Sequence, residues 1–435
     1  MKILITAAGS YGDVAPYTGL GARLRREGHE VALAAPGPFA ALVKDAGLEF
    51  RPLPGDPGAQ IAPATGKRAL MRAASASVGE LAGGLADAVA QDTDLMLLST
   101  TTAPLGWHII EATGIPGLGV YLQPTHPTRE FAPVVGGARS LGAWGNRAAG
   151  RFSLRMVDRV FAGAVGDLRA RLGLPPATPG EVRRRQEAAA WPVLHGYSPA
   201  VVPQPRDWRE GLETVGNWWP HLAPEGREGR EGLEGLDGRE GSQGPEGQLP
   251  SLVADFLQAG PPPVFIGFGS MAAGEGERLG AIAVAALRRA GLRGILQTGR
   301  AGLTASGPST SDPSASGDDV LTIGEVPHAL LFPRVAAVVH HAGAGTTAAG
   351  LRAGRPAVPV PVTADQPFWA ARLTALGAAP HPVPFQQLTA ARLADALDRA
   401  VRDPSHTRAA TALSRRMERE DGAGAVARAV ARMAG

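Results

Sequence analysis

Short apolar runs, each closed by a glycine-bearing turn and followed by a helical stretch, recur along this chain and leave it few possible folds. The first is KILITAA (2–8), which runs into Gly9-Ser10-Tyr11-Gly12-Asp13. Residues 15–27 read as a helix with Leu20 and Leu24 on one face and Gly28 at its end. VALAA (31–35) is a second strand, and Pro38 opens a second helix. Apolar runs of this kind suit strands buried on both faces, and strands separated by helices pair in parallel. LMLLST (95–100) and IPGLGVYLQ (115–123) continue the pattern. It restarts with PVFIGFGS (263–270), a helix at 275–290, GILQTG (294–299), VLTIG (320–324) and AAVVHH (336–341). A helix at 344–353, PAVPVP (356–361), a helix at 366–376 and a helical tail over 389–434 complete it. The class is α/β, with two Rossmann-like domains facing across a cleft, and ligands are expected outside the carboxyl ends of the strands.

Composition bounds what these halves do. Residues 224–248 repeat Gly with Arg and Glu and hold almost no apolar side chains, which predicts a disordered linker. SGPSTSDPSASGD (306–318) reads as a second polar loop. With 43 basic and 40 acidic residues, a net charge of +3 and no long basic block, the chain does not suit nucleic-acid binding by phosphate neutralisation. The absence of Cys excludes disulfides, thiolate metal sites and thiol nucleophiles. No uncharged apolar run reaches the ~18 residues of a membrane span, and the N-terminus suits a buried strand better than a signal peptide. A cytoplasmic protein without a transmembrane segment is expected.

Two loops carry the chemistry. In HHAGAGTTAAG (340–350) a β-branched strand delivers His340 and His341 into a turn where Gly343 and Gly345 let backbone N–H groups approach a ligand. A helix beginning near Thr346 would offer a phosphate its unpaired N–H groups. The spacing matches neither a Walker loop nor the dinucleotide fingerprint. In GSYGDVAP (9–16), Asp13 follows the end of the first strand, where a carboxylate can take a proton or cap the helix entered through Pro16.

The segment EVPHALLFPRVAAVVHHAGAGTTAAGLRAGRPAVPVPVTADQPFWAARL (325–373) resembles the donor-binding signature of family 1 glycosyltransferases. The branch it resembles most holds bacterial antibiotic glycosyltransferases and sterol glucosyltransferases. GSYGDVAPYTGLGARLRREGHEV (9–31) is similar to that branch's G-D-V-x-P loop; LHGYSPAVVPQPRDW (194–208) and TVGNWWP (214–220) look like its later segments. The resemblance implies a GT-B fold: an acceptor-binding domain over 1–222, a linker over 223–249, a nucleotide-sugar-binding domain over 250–415, and a last helix over 416–435 that crosses back to the first domain. It implies an inverting transfer from UDP- or dTDP-sugar to a hydroxyl, or an aromatic carbon, of an apolar small molecule such as a polyketide, macrolide, aromatic aglycone or sterol-like lipid. No metal and no cofactor is called for, the nucleotide-sugar being a co-substrate.

By position, His340 matches the family's diphosphate-binding His, Gly343, Gly345 and Thr346 its further phosphate contacts, and Ser270 a residue near the diphosphate. Val326 and His328 match the loop that reads the base edge, and Asp365 with Gln366 the pair on the sugar hydroxyls. Asp365 also suits a helix cap. Asp13 matches the general base, and Tyr11, Gly12, His126, Phe131 and Trp144 are candidates to line the acceptor. Ala342 stands where the family usually has Gly, and Glu325 where plant relatives carry a base-stacking Trp. Asp92-Thr93-Asp94, a metal-holding pattern in another glycosyltransferase fold, reads here as a solvated connection at a strand start. Trp218 and Trp219 read as packing residues. A sugar-nucleotide epimerase on the same fold and a non-catalytic partner of a second glycosyltransferase are the alternatives.

Overall fold

The computed structural model describes every residue except 56–66, 90–91, 136, 138, 223–248, 270–273, 300–301, 304–318 and 435. The linker expected at 224–248, the loop expected at 306–318 and Ser270 all lie outside the described residues. The chain divides into two units. Unit 1 comprises Met1–Val134, Arg139–Ala223 and Glu420–Gly435; unit 2 comprises Val135–Ala138 and Pro224–Arg419.

Unit 1 is built on seven parallel strands: β1 (Lys2–Thr6), β2 (Glu30–Pro36), β3 (Glu49–Leu53), β4 (Leu95–Leu98), β5 (Gly117–Tyr121), β6 (Val193–His195) and β7 (Leu212–Thr214). Their order is β3-β2-β1-β4-β5-β6-β7. Successive side chains go to opposite faces, so Ile3 and Ile5 join one core cluster and Leu4 another. Burial on both faces is why the strands read as unbroken apolar runs. Three strands escape the sequence pattern. β3 is EFRPL, with Pro52 in it, and Pro is tolerated in a sheet only at an edge, which is where β3 lies. β6 and β7 are three residues each, too short for any periodicity to show.

Unit 2 holds five parallel strands: β8 (Val264–Gly267), β9 (Gly294–Gln297), β10 (Val320–Ile323), β11 (Ala337–His340) and β12 (Ala357–Pro359), ordered β10-β9-β8-β11-β12. Val264, Ile266 and Val339 face one cluster, Phe265 and Val338 the other. The helix Pro404–Met417 belongs to this unit, and Glu420–Gly435 to unit 1. There the helix Gly422–Ala434 packs on the helix Tyr11–Arg26, burying Val426 and Val430 in the cluster of Val14, Tyr17 and Leu20. The Ser198 hydroxyl donates to Glu420 Oε1 at 2.6 Å within the same unit.

Candidate active site

The strand order of unit 1 reverses between β1 and β4, and parallel sheets bind ligands at the carboxyl ends flanking such a reversal. The two turns there are laced together. The Thr6 and Thr102 hydroxyls lie 2.7 Å apart, and Thr101 Oγ1 donates to the Ala8 carbonyl at 2.8 Å. The helix after β1 starts at Tyr11, four residues before the expected start, with Ser10 at its N-cap. Val14–Thr18 are all buried, and packing carries the helix through Pro16. The overlooked signal was the spacing Ser10-x-x-Asp13, a capping box.

Asp13 is thus not the cap itself but a first-turn residue whose Oδ2 accepts from the Ser10 N–H and the Ser10 hydroxyl, each at 2.8 Å. The carboxyl is partly exposed. Desolvation raises its pKa above the usual carboxylate range against the opposing pull of Ser10. Gly9 is required beside it: its φ is +133°, and a Cβ there would stand 2.5 Å from Asp13 Oδ2. Tyr11, 59% exposed, and Gly12, also exposed, share this first turn.

In unit 2 the order reverses between β8 and β11. The helix after β11 runs Ala344–Arg352 with Gly343 at its N-cap and no side-chain cap. It begins two residues before the expected Thr346, so Ala344, Gly345 and Thr346 supply its first-turn N–H groups. The two histidines part company here. His340 completes β11, is fully buried, and accepts from the Ala342 N–H through Nδ1 at 3.1 Å. That bond leaves the proton on Nε2, a buried atom with no partner among the described residues. His341, to which the resemblance gave no role, is partly exposed and lies between the turns that follow β8 and β11. A Cβ on Gly269 would stand 3.1 Å from its Cε1, and one on Gly343 2.5 Å from its Nε2. Burial lowers the pKa of His340 to about 3 and of His341 to about 4, so both are neutral N–H donors at pH 7.

Among the described residues three non-glycines are left-handed, Ala190 (φ 45°) in unit 1 and two in unit 2. Ala342 (φ 63°) and Ala364 (φ 56°) are left-handed, in the turns after β11 and β12. The Ala342 conformation aims its N–H at His340 and costs about 1 kcal/mol relative to Gly. Ala342→Gly is therefore expected to hold or raise the melting temperature, whereas Ala→Gly elsewhere costs about 0.5–1 kcal/mol. A thermal melt checks this, and a clear drop would show that the buried methyl outweighs the strain.

After β12, Asp365 stands at the N-cap of the helix Gln366–Ala375, but its side chain does not cap. Oδ2 accepts instead from the Trp369 indole at 2.9 Å. Gln366 is buried, and its Oε1 accepts from the N–H groups of Val362 (2.7 Å) and Thr363 (3.2 Å), which holds the turn in place. Val326 is buried in an apolar cluster, and His328 stacks on Phe332 at 4.3 Å. Glu325 Oε2 accepts from Gln297 Nε2 at 3.1 Å.

Of the other residues singled out, His126 lies past β5 with its Nδ1 3.3 Å from His195 Nε2. His195 Nδ1 donates to the Glu213 carbonyl at 2.9 Å, so His126 is the donor to His195 and its own Nε2 is left as an acceptor. Phe131 is partly buried, while Trp144 stands 83% exposed on the helix Gly142–Arg171. Trp218 is buried and packs on Tyr17. Asp92 pairs with Lys2 Nζ, and Asp94 Oδ2 accepts from the Lys2 N–H at 2.7 Å, a clasp at the amino ends of β1 and β4. Among the described residues, no group of three or more His, Asp and Glu is placed to hold a metal ion.

Comparison with known proteins agrees with this architecture. Residues 3–131 match the glycosyltransferase family 28 N-terminal domain, and residues 303–433 the erythromycin biosynthesis protein CIII-like C-terminal domain. The chain is 34% identical to O-mycaminosyltylonolide 6-deoxyallosyltransferase of Streptomyces fradiae, over 93% of this chain and 91% of that one. It is 32% identical to a sterol 3-beta-glucosyltransferase of Arabidopsis thaliana over 98% of its own length but only 64% of the plant protein's. The glycosyltransferase of kitacinnamycin superposes with a TM-score of 0.70 at 20% identity, over 99% of this chain and 98% of that one. The glycosyltransferase VinC, solved in complex with dTDP, superposes at 0.64 and 19% identity, over 100% and 99%. At such identities the structural likeness bears on the fold, which is GT-B. With its two strand-reversal sites, its two family domains and a relative 34% identical over nearly all of both chains, this chain belongs to the glycosyltransferase family of the macrolide and sterol enzymes.

Proposed function

We propose that the chain is an inverting glycosyltransferase that moves a sugar from a UDP- or dTDP-sugar to a hydroxyl of an apolar acceptor of the sterol or macrolide kind. The observation that carries the reading is the uncapped helix N-terminus after β11 beside His341, between two glycine turns at the strand reversal of unit 2. Negative charge gathers on the departing nucleoside diphosphate as the glycosidic bond breaks. Preorganised N–H groups of residues 344–346, the Thr346 hydroxyl and the neutral His341 imidazole stabilise that charge. Asp365, oriented by the Trp369 indole, and the turn clamped by Gln366 hold sugar hydroxyls.

Asp13 takes the proton of the acceptor hydroxyl as its oxygen attacks the anomeric carbon on the face opposite the diphosphate. One displacement needs one base and one anion cradle, and it inverts the anomeric configuration. The acceptor class is supported by the sterol and macrolide relatives and by the aromatic surroundings of His126, where Tyr121 stacks at 5.8 Å.

A melting screen against UDP-, dTDP- and GDP-sugars tests the donor. A ligand at 100 times its Kd stabilises by about 2.7 kcal/mol, and UDP- or dTDP-sugars are expected to raise the melting temperature. Incubation with the stabilising sugar and a sterol or macrolide should give a product of inverted anomeric configuration by NMR. Conversion of the sugar without any acceptor would identify an epimerase instead.

A further inference from the structure

The helix Gly142–Arg171 is pinned on one side and open on the other. On the pinned side Asn146 is buried, 1% exposed. Its Oδ1 accepts from the Leu141 N–H at 2.8 Å, and its Nδ2 donates to the Arg129 carbonyl at 3.2 Å and the Ser140 hydroxyl at 3.1 Å. Farther along, Ala164 and Leu168 enter the core cluster of Ala82 and Leu85. The helix is held firmly from within unit 1, and its outer face is a fixed surface.

That outer face is unusual. Leu141 is 60% exposed, Trp144 83% and Phe152 60%. At 3.6 residues per turn, Trp144 and Phe152 fall on one face with Arg151, Arg155 and Arg159. All three arginines are exposed, and none forms an ion pair among the described residues. The only carboxylate between residues 141 and 159 is Asp158, which is engaged by Arg183 at 2.6 Å. A single exposed apolar residue needs no explanation, but three beside three uncompensated guanidinium groups do.

We propose that this face docks the protein on an anionic phospholipid surface. Leu141, Trp144 and Phe152 enter the headgroup region, and Arg151, Arg155 and Arg159 contact lipid phosphates. Such a mixture of Trp, Phe and Leu with unpaired cations is what an interfacial helix requires, the arginine stems lying along the apolar side chains while their heads reach the phosphates. A protein partner fits less well. Three apolar side chains fall short of the roughly 800 Å² per partner of a stable interface, and the core of such an interface is depleted in charge. Among the described residues no helix is long and apolar enough to cross a membrane, so the attachment is to the surface. The inference takes Trp144, 83% exposed, out of the set of acceptor-lining candidates, and it holds whichever donor and acceptor the chain uses.

Sedimentation of the full chain with phosphatidylcholine vesicles, with and without phosphatidylglycerol, tests it. Binding is expected with the anionic vesicles, weakening as salt shortens the Debye length. Trp144→Ser/Phe152→Ser should lower the partition coefficient at least tenfold. Arg151→Gln/Arg155→Gln/Arg159→Gln should lower it on the order of 100-fold, at about fivefold per cation. Both variants should melt as the parent does, because the changed side chains are exposed. Failure to sediment with anionic vesicles, or equal sedimentation of parent and variants, overturns the proposal. So does a concentration-dependent dimer that disappears in Trp144→Ser/Phe152→Ser, which would assign the face to a second copy of the chain.

Discussion

Asp13→Asn is expected to lower the rate of sugar transfer by roughly 10²–10⁴-fold, the usual contribution of a general base, with donor-induced stabilisation unchanged. Stability should change little. The folded chain holds the Asp13 proton more tightly than the unfolded chain does, because desolvation raises the carboxyl pKa. The resulting stabilisation is fully present below the unfolded pKa and is lost as pH rises through the folded one. Where Asp13 is ionised, burial of its charge is a net cost to the fold, and Asn, which carries no charge, can still accept from the Ser10 N–H. The variant should melt within about 1 kcal/mol of the parent, the pattern of a residue kept for activity rather than stability. The same shift sets the pH profile. Transfer should fall as pH drops through the raised Asp13 pKa, and the residual activity of the variant should lack that acid limb. Full activity in Asp13→Asn would remove the base assignment; a large loss of stability with activity retained would leave Asp13 a helix-start residue only.

His341→Ala is expected to lower kcat/KM by roughly 10²-fold, as loss of one preorganised donor to a developing anion does. The fold should be little affected, since the residue is only half-buried, its Nδ1 has no partner among the described residues, and glycines lie beside it. His340→Ala is expected to act differently. It removes a fully buried ring and leaves the Ala342 N–H without its acceptor, which costs about 1–3 kcal/mol and shows as a lower melting temperature. The two variants separate the histidines. If His341→Ala transfers sugar normally while His340→Ala melts like the parent and loses donor binding, the diphosphate contact belongs to His340, as the family resemblance implied. Because burial lowers the His341 pKa to about 4, its imidazole is neutral around pH 7 and its contribution should not vary there.

Much of the architecture is legible from short windows. KILIT, LMLL, VFIG and AVVH are apolar on both faces, and each became a central strand flanked by partners on both sides. β3 was hidden because Pro52 argues against a strand until its edge position is known. The first helix starts at Tyr11, ahead of the expected residue 15, because burial of Val14–Thr18 fixes its first turns in the fold. The motif HHAGAGTT located the turn after β11, and the fold adds that His341 lies beside Gly269 and Gly343. Neighbouring residues at a strand end point in different directions, and the last strand residue, His340, goes into the sheet.

The chain's local chemistry alone therefore sets the α/β class, the two-part division and the turns where backbone and ligand can meet. Apolar runs, glycines and caps act over a few residues and keep their meaning in any context. Folding decides what depends on residues far apart in sequence. It brings Gly269 and Gly343 to the two sides of the His341 ring and returns residues 420–435 to the first unit. It also leaves Trp144 and Phe152 facing out with three arginines. Composition cannot report burial or exposure of that kind, because a Trp or a His has the same chemistry in a core and on a surface until its neighbours are in place.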